Sequence, residues 1–374
     1  MVVLTELLED VSNEAQDDSS PGRPVVGEAA IDAIMLGAPF DDDSDTTHKT
    51  PQLPPISSVI TTACRLQPTE PPHLQIEAGC VWDRDNWSCA YDAVFMSFWS
   101  IYKNSPPGWR NEWRQQTSEW NDFLGEAFDS LLAAAQNGQT SQAALSHKFT
   151  FFREMFRDKL SQIDPVSFRR HGAALTSVCR ILGHILNGSA ECEPYLNQVV
   201  ACDWCGTSMD VRCSFSLIGS TQTLDKYLND NDISPPLPLQ TAVTCYIQRA
   251  SWEPWRNRCS TCSRPPRVES LSIPEMTWLW VELCDVISPI IPSCRLVFGL
   301  PHQQQVYVLQ AVIYHGGDHF TARLSSRSAA WWKYDGMWMF GAPHVDHIEN
   351  EADLLKNDDR RAAFLLYRRA DFQD

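Results

Sequence analysis

The chain has 374 residues, is 43% hydrophobic and holds 14 tryptophans and 16 phenylalanines, which is enough apolar material for a large core. Its formal net charge of −17 argues against a general nucleic-acid-binding protein, because neutralising phosphates requires clustered Lys and Arg. We find neither a secretory signal before the 13 cysteines nor an apolar run of about 18 residues. We therefore expect an intracellular protein of the cytoplasm or nucleus, in which paired cysteines indicate metal more often than disulfide.

The first 75 residues differ in composition from the rest of the chain. Residues 1–60 contain twelve acidic and two basic residues, and proline-rich pieces such as residues 51–55 interrupt them. Such a composition buries too little apolar surface to offset the entropy of ordering. We therefore predict a disordered acidic and proline-rich tail over residues 1–75. Short helices over residues 4–9 or 29–36 are the alternative, as partner-binding segments.

The folded part is predicted to begin at residue 76, and its most informative residue is Cys89. This cysteine lies where a polar loop becomes an apolar helix, predicted over residues 89–103 with Ser88 as N-cap and residues 106–108 as the stop. The N–H groups of a first helical turn and the positive end of the helix dipole favour thiolate over thiol. Cys89 is therefore a candidate nucleophile that requires a base.

The pattern changes from helices to strands along the chain. Apolar spacing predicts further helices over residues 118–136, 149–160 and 173–186. After residue 198, short β-branched or aromatic runs between turn residues predict strands. These strands cover residues 197–202, 209–218, 241–250, 297–300, 306–314, 320–324 and 330–334. Helices followed by strands indicate an α+β fold in which an antiparallel sheet completes the site.

Two Cys-x-x-Cys pairs lie within the strand-rich half. They are Cys202 with Cys205 and Cys259 with Cys262. Each pair places two thiolates on one tight turn, and two such turns facing each other form a tetrahedral sulfur site for zinc. Because four sulfur ligands leave no open coordination position, we expect the Zn²⁺ to be structural. Reduced core or surface cysteines are the alternative.

His319 and Asp335 are the candidate base and its orienting acid. A hairpin is predicted to place His319 near the start of one strand and Asp335 near the end of its antiparallel partner, so that the two can be cross-strand neighbours. An imidazole oriented by a carboxylate is the base half of a Cys–His–Asp triad. A histidine that packs beside an aspartate for structural reasons is the alternative.

The segment over residues 307–336 resembles the histidine box of the ubiquitin-specific proteases. In that family a Tyr-x-Leu-x-Ala-Val-Ile-x-His strand leads through glycines to Gly-His-Tyr, and a Trp-x-x-Phe-Asp strand supplies the acid. The matching residues here are Tyr307, Leu309, Ala311, Val312, Ile313, His315, Gly316, His319, Trp331 or Trp332, Tyr334 and Asp335. Cys89 begins a helix as that family's nucleophile does, and the Cys-x-x-Cys pairs lie where the family has its zinc-bearing fingers.

The resemblance implies a papain-like cysteine peptidase fold over residues 76–374. Its parts would be a helical thumb-like part over residues 76–197, zinc-ribbon fingers over residues 198–270 and a β-rich palm-like part over residues 271–374. It further implies a monomeric thiol peptidase or isopeptidase that removes ubiquitin or a ubiquitin-like modifier from proteins. Neither nucleic acid nor a membrane is expected as a partner. Cys89 would attack, His319 would act as base, and Asp335 would orient the imidazole.

Two positions depart from the family's pattern. The family's oxyanion donor is an Asn five residues before the nucleophile, where this chain has Arg84. The nearest amide is Asn86, which we take as the candidate donor together with the Cys89 N–H. Asp318 replaces the Gly before the histidine. These departures favour an alternative, a catalytically inactive modifier-binding module; a zinc-ribbon interaction protein is a further one.

Overall fold

The structure is a computed structural model. It describes residues 78–115, 119–137, 140–172, 176–187, 195–214, 235–250, 259, 261–264, 267–272, 277–283, 289–298, 305–326, 330–338 and 341–370. The tail predicted over residues 1–75 lies outside these ranges. Among the helices that they contain, none combines the length and the apolar character that a membrane crossing requires.

Helices dominate the described chain up to residue 187. They are α1 (Cys89–Asn104), α2 (Pro107–Gln115), α3 (Glu119–Gln136), α4 (Gln142–Ile163) and α5 (Val178–Asn187), and α6 (Leu239–Ala250) follows later. The predictions for α1 and α3 are confirmed almost to the residue, whereas α4 begins earlier than predicted. The proline pair after α1 does end that helix. It also begins α2, because a proline in the first helical turn lacks only an N–H that would have no partner there.

Helix α1 lies at the centre of the helical part. Every residue from Cys89 to Tyr102 is buried. Its aromatic side chains contact other elements edge to face: Phe95 contacts Phe128 of α3, and Trp99 contacts Phe149 of α4, with ring centroids 5.3 and 5.2 Å apart. A helix that is buried on all sides is held by contacts on all sides. The first residue of α1, Cys89, is therefore fixed by the packing of the whole helix.

The strands are mostly short and mostly antiparallel. They are β1 (Tyr195–Ala201), β2 (Ser208–Ser214), β3 (Leu237–Pro238), β4 (Arg267–Ser272), β5 (Trp278–Glu282), β6 (Ile290–Ile291), β7 (Arg295–Phe298), β8 (Gln305–Gly316), β9 (His319–Ser325), β10 (Trp331–Tyr334), β11 (His344–Asp346), β12 (Lys356–Asn357) and β13 (Arg360–Arg369). A 3₁₀ helix (Glu351–Leu355) precedes β12. The predicted mixture of helices and antiparallel sheet is confirmed.

The strand predicted over residues 241–250 is wrong, because helix α6 covers these residues. Their β-branched side chains favoured a strand, but β propensity is weak beside tertiary packing. Leu239, Ala242 and Val243 are fully buried and follow the helical spacing of three and four residues. Burial of that stripe decided the local structure.

An eight-stranded sheet forms the second half of the body. Its strand order is β11-β10-β9-β8-β13-β12, and β5 and β7 add pairs to β13 and β8. Alternate residues of β8 enter two cores: Ala311 and Ile313 pack with α1, whereas Val312 and Tyr314 pack on the opposite side of the sheet. Since β8 is covered on both faces, the hairpin from β8 to β9 is firmly placed beside the start of α1.

Candidate active site

Cys89 is the first residue of α1 and is 7% exposed. Ser88 is the N-cap residue, as predicted, although its side chain makes no capping hydrogen bond. Its hydroxyl instead donates to Asp92 Oδ2 at 2.7 Å and accepts the N–H of Asp83 at 2.8 Å. The N–H groups of the first turn have no carbonyl partner within their own helix, so they surround the Cys89 position with partial positive charge.

Residues 82–88, here called the nucleophile loop, fold around the carboxylate of Asp83. Its Oδ1 accepts the N–H groups of Asp85 and Asn86 at 3.0 and 3.2 Å, and its Oδ2 accepts Asn86 Nδ2 at 2.7 Å. Partial burial raises the pKa of Asp83, but the hydrogen bonds from Asn86 and Asp85 outweigh it and hold the pKa below its usual value. An aspartate that binds N–H groups two and three residues ahead makes a local turn. The nucleophile loop that contains this turn ends directly before Cys89.

Asn86, the predicted oxyanion donor, is anchored to neighbouring backbone and side chains. Besides the bond from Nδ2 to Asp83, its Oδ1 accepts the N–H of Gly172 at 2.8 Å. Asn86 thereby joins the nucleophile loop to the segment after α4. Asn86 is absent from the described residues that line the cleft around Cys89.

The hairpin between β8 and β9 presents His319. Gly316 and His319 form its last pair, and Gly317 and Asp318 form a two-residue turn in which both have φ of 58°. Two consecutive positive φ values are typical of a type I′ turn, for which Gly and Asp are favoured residues. Asp318 is thus accommodated by the backbone where the resembling family has Gly. His319 is 8% exposed.

His319 binds Asp335 directly. Nε2 lies 2.9 Å from Asp335 Oδ1, which also accepts the N–H of Met337 at 3.0 Å. The register pairs Tyr334 with Ala322, so Asp335 follows the end of β10 one diagonal step from His319. The sequence-based expectation that the two residues are neighbours is therefore met.

The protonation of this pair follows from its contacts. Burial lowers the pKa of His319, but the hydrogen bonds with Asp335 and Cys89 and the charges of both groups raise it to about 9. Burial raises the pKa of Asp335, and the hydrogen bonds from His319 and Met337 more than compensate and hold it below its usual value. Because Nε2 is engaged by Asp335, Nδ1 is the ring nitrogen left for the Cys89 thiol.

A cleft of about 630 Å³ contains both Cys89 and His319. The nucleophile loop and the turns after β8 and β10 form the rest of its lining. The lining residues from these segments are Trp82, Arg84, Asp85, Trp87, Gly317, Asp318 and Met337. The indole of Trp82 meets the His319 ring edge to face, with centroids 6.3 Å apart. Sequence reasoning did not find Trp82, and no local pattern marks it. The structure therefore brings Cys89 and His319 to one cleft, with Asp335 hydrogen-bonded to His319.

A second cavity, of about 990 Å³, adjoins the cleft at the nucleophile loop. Trp82 and Arg84 line both spaces. Val81, Asp83 and one side of α4 form the remaining wall of this cavity. The residues from α4 are Gln142, Ala143, Ser146, His147, Thr150, Arg153 and Glu154. The two spaces are therefore neighbours at Trp82 and Arg84 of the nucleophile loop.

The four predicted metal ligands lie together at one end of a separate sheet. Strands β2, β1 and β4 form this three-stranded sheet. The sulfur atoms of Cys202, Cys205, Cys259 and Cys262 all lie within 4.8 Å of one another. Tetrahedral Zn–S bonds of about 2.3 Å place sulfur atoms about 3.8 Å apart, so the cluster has the dimensions of a four-sulfur metal site.

Both Cys-x-x-Cys turns have the same backbone design. The N–H of Gly206 bonds the carbonyl of Cys202 at 2.9 Å, and the N–H of Ser263 bonds the carbonyl of Cys259 at 2.8 Å. N–H groups of Cys205 and Trp204 lower the pKa of Cys202, and those of Cys262 and Thr261 lower the pKa of Cys259. Both effects favour the thiolate, which is the form that binds metal. At Cys262 the N–H of Arg264 lowers the pKa, but the neighbouring sulfur atoms and burial raise it to about 12.

Comparison with known proteins does not assign the chain to a family. No protein-family model matches it. No curated protein matches it in sequence either. Among solved structures, it resembles the SAGA Ubp8/Sgf11/Sus1/Sgf73 DUB module with a TM-score of 0.44 and 11% identity, over 82% of this chain and 72% of that one. A similarity this low carries no functional assignment.

Proposed function

We propose that the chain is a papain-like cysteine peptidase or isopeptidase that removes ubiquitin or a ubiquitin-like modifier from proteins. The observation that carries the proposal is that Cys89 and His319 line one cleft, with the imidazole of His319 held 2.9 Å from the carboxylate of Asp335. A thiol, a base and an orienting acid are the groups that nucleophilic acyl transfer requires.

The proposed reaction proceeds through a thioester. His319 Nδ1 accepts the thiol proton, and Cys89 Sγ attacks the carbonyl carbon of the modifier's C-terminal glycine. The tetrahedral intermediate collapses with cleavage of the C–N bond, while His319 protonates the leaving amine. Water, deprotonated by His319, then attacks the thioester and releases the carboxylate and the thiol. Asp335 holds the ring through Nε2 in every step.

The proposed oxyanion donors are the N–H of Cys89 and the Nδ2 of Asn86. The Cys89 N–H belongs to the first turn of α1 and has no acceptor within that helix. Asn86 uses one N–H of its amide for Asp83 Oδ2 and keeps the second for another acceptor. An oxyanion stabilised by two such donors gains the electrostatic preorganisation that acyl transfer requires.

The substrate class rests on the resemblance of residues 307–336 to a modifier-protease histidine box. A net charge of −17 suits a basic partner surface, since complementary charge speeds encounter. The cleft and the adjoining cavity offer room for an extended peptide along the nucleophile loop.

We propose thumb-like, finger and palm-like parts over residues 76–197, 198–270 and 271–374. In the fingers, Cys202, Cys205, Cys259 and Cys262 would hold a structural Zn²⁺.

A modifier probe with a C-terminal electrophile tests this function. Probes of ubiquitin and of several ubiquitin-like proteins are incubated with the native chain and with Cys89→Ala and His319→Ala. We expect one of the probes to form a covalent adduct with the native chain and none with Cys89→Ala. Labelling that persists in Cys89→Ala would contradict the nucleophile assignment. Folded, metal-loaded protein that no probe labels would contradict the proposed substrate class.

One observation favours a second candidate, a modifier-binding module without catalysis. The Asn86 amide is tied to Asp83 and Gly172, and it is not among the described cleft-lining residues. In this alternative the cleft and the adjoining cavity bind the modifier, but the oxyanion is not stabilised. Saturable modifier binding without adduct formation or turnover would support it.

A further inference from the structure

Two opposite charges are fully buried beneath the nucleophile loop. The side chains of Asp92 in α1 and Arg153 in α4 are 2% and 1% exposed, and Oδ1 lies 3.0 Å from Nη1 in an ion pair. Removing two charges from water is costly, and apolar residues of similar volume often give equal or greater stability. Stability alone therefore does not account for the burial of Asp92 and Arg153.

The pair is attached to both ends of the segment that leads to Cys89. At one end, Arg153 Nη2 donates to the carbonyl of Val81 at 3.1 Å. At the other, Asp92 Oδ2 accepts the Ser88 hydroxyl at 2.7 Å, and that hydroxyl accepts the N–H of Asp83. The backbone N–H of Asp92 also bonds the carbonyl of Ser88 at 2.9 Å. The ion pair thus fixes where the nucleophile loop begins and where it ends.

The same carboxylate packs against the residue after the orienting acid. A Cβ added to Gly336 would lie 3.1 Å from Asp92 Oδ2 and 3.3 Å from Trp82 Cβ. The carbonyl of Gly336 accepts the N–H of Trp82 at 3.1 Å. Asp92 therefore contacts the nucleophile loop and the turn that follows Asp335, and it lies one helical turn from Cys89.

Asp92 is negatively charged at neutral pH. Burial raises its pKa to about 6, although Arg153 and the hydrogen bond from Ser88 oppose the rise. Glu154 adds to the rise, and His319 opposes it. The ion pair is therefore formed in the pH range where the proposed thiol chemistry operates.

We propose that Asp92, paired with Arg153, is a positioning residue of the active site. It touches neither the substrate nor the reacting atoms. It holds the nucleophile loop and the Asp335 turn in register, so that the Cys89 thiol meets His319. The inference rests on the proposed function only in taking Cys89 and His319 as the reacting pair.

Alkylation of Cys89 by iodoacetamide tests the inference without a protein substrate. The rate at Cys89 is followed by peptide mass spectrometry from pH 5 to 10, at a temperature where each variant is folded. Ser88→Ala removes the hydroxyl that links Asp92 to the loop but leaves both charges of the ion pair in place. We expect alkylation near pH 7 to slow about tenfold or more, because small displacements of reacting groups have large effects on rate.

Asp92→Asn is the second variant, and Asp92→Asn with Arg153→Gln is its neutral partner. The single change leaves the buried Arg153 with only the partly exposed Glu154 as a countercharge, at 3.1 Å, whereas the double change removes both charges of the Asp92–Arg153 pair. We expect slow alkylation in the single variant and recovery in the double one. A double variant that is folded and as slow as the single one would count against the pairing. Should Asp92→Asn fail to fold, Ser88→Ala and the double variant decide the question.

Asp346→Asn is the control, since it breaks the Arg323–Asp346 ion pair in the strands beyond His319. It should lower the unfolding temperature and leave the alkylation profile unchanged. If Ser88→Ala and folded Asp92→Asn keep the native profile, the ion pair is purely structural and the inference is overturned. If native Cys89 reacts no faster than an unassisted thiol at any pH, the proposed function fails as well.

Discussion

Nε2 of His319 and Oδ1 of Asp335 lie 2.9 Å apart, although the residues are sixteen positions apart in the chain. The contact arises because β9 and β10 are antiparallel neighbours and Asp335 follows β10 directly. It fixes the rotation of the ring and leaves Nδ1 for Cys89. Loss of the His319–Asp335 contact should therefore change the activity, its pH dependence and the stability of the protein.

Replacing Asp335 should impair catalysis more than folding. In Asp335→Asn the ring loses its negative partner, and we expect the turnover number to fall about 10²- to 10⁴-fold. Hydrolysis of a fluorogenic amide of the modifier tail measures the loss, with circular dichroism as the check on folding. The same assay is applied to His319→Ala. Its control is His315→Ala, because His315 is an exposed histidine of the same hairpin. Native activity in Asp335→Asn would contradict the triad.

Protonation of His319 should make stability depend on pH. Its pKa is raised to about 9 in the folded protein, against about 6.5 in the unfolded chain. The stabilisation is complete below pH 6.5 and is lost as pH rises through 9. We expect the free energy of unfolding to fall by on the order of 1–3 kcal/mol across this window. Urea unfolding between pH 6 and 10 measures it, and His319→Gln should remove this component while His315→Gln keeps it.

Removing the metal should destabilise the sheet formed by β2, β1 and β4. We expect about one zinc ion per chain in the native protein and almost none in Cys202→Ser or Cys259→Ser. Both variants, and native protein treated with a chelator, should unfold at lower temperature. Elemental analysis measures the zinc content, and thermal unfolding measures the stability. Cys179→Ser is the control, because Cys179 lies outside the four-cysteine cluster and contacts Glu282. Equal zinc content in all of these proteins would contradict the site.

Gly341 should not tolerate a side chain. Its φ is +74°, and an added Cβ would overlap the carbonyl of Cys80, in the segment that leads to the nucleophile loop. We expect Gly341→Ala to lower the free energy of unfolding by about 2 kcal/mol or more, from backbone strain and displaced backbone together. Gly108→Ala is the matched control, since nothing lies within 4 Å of its Cβ position in α2. That change should be neutral or stabilising by up to about 1 kcal/mol. A native unfolding midpoint for Gly341→Ala in urea would refute the close approach.

Local patterns predicted the elements that carry the candidate site. The start of α1 at Cys89, the hairpin with His319 and the pairing of the Cys-x-x-Cys turns all follow from spacing and turn residues near in sequence. Local patterns failed at α6, where β-branched residues form a helix because its apolar stripe is buried. They placed Ser88 correctly at the N-cap but did not show that its hydroxyl binds the Asp92 carboxylate.

The sequence by itself therefore determined the nature of the candidate nucleophile, base, acid and metal ligands, because each is marked by a residue type in a short periodic context. Only the tertiary structure decided how they are held. The bond from Arg153 to Val81 spans 72 positions, and that from Gly172 to Asn86 spans 86. Contacts between residues so distant leave no trace in local periodicity, since they arise from the packing of whole elements. That packing places Trp82 against His319, anchors Asn86, and sets the Asp92–Arg153 pair beneath Cys89.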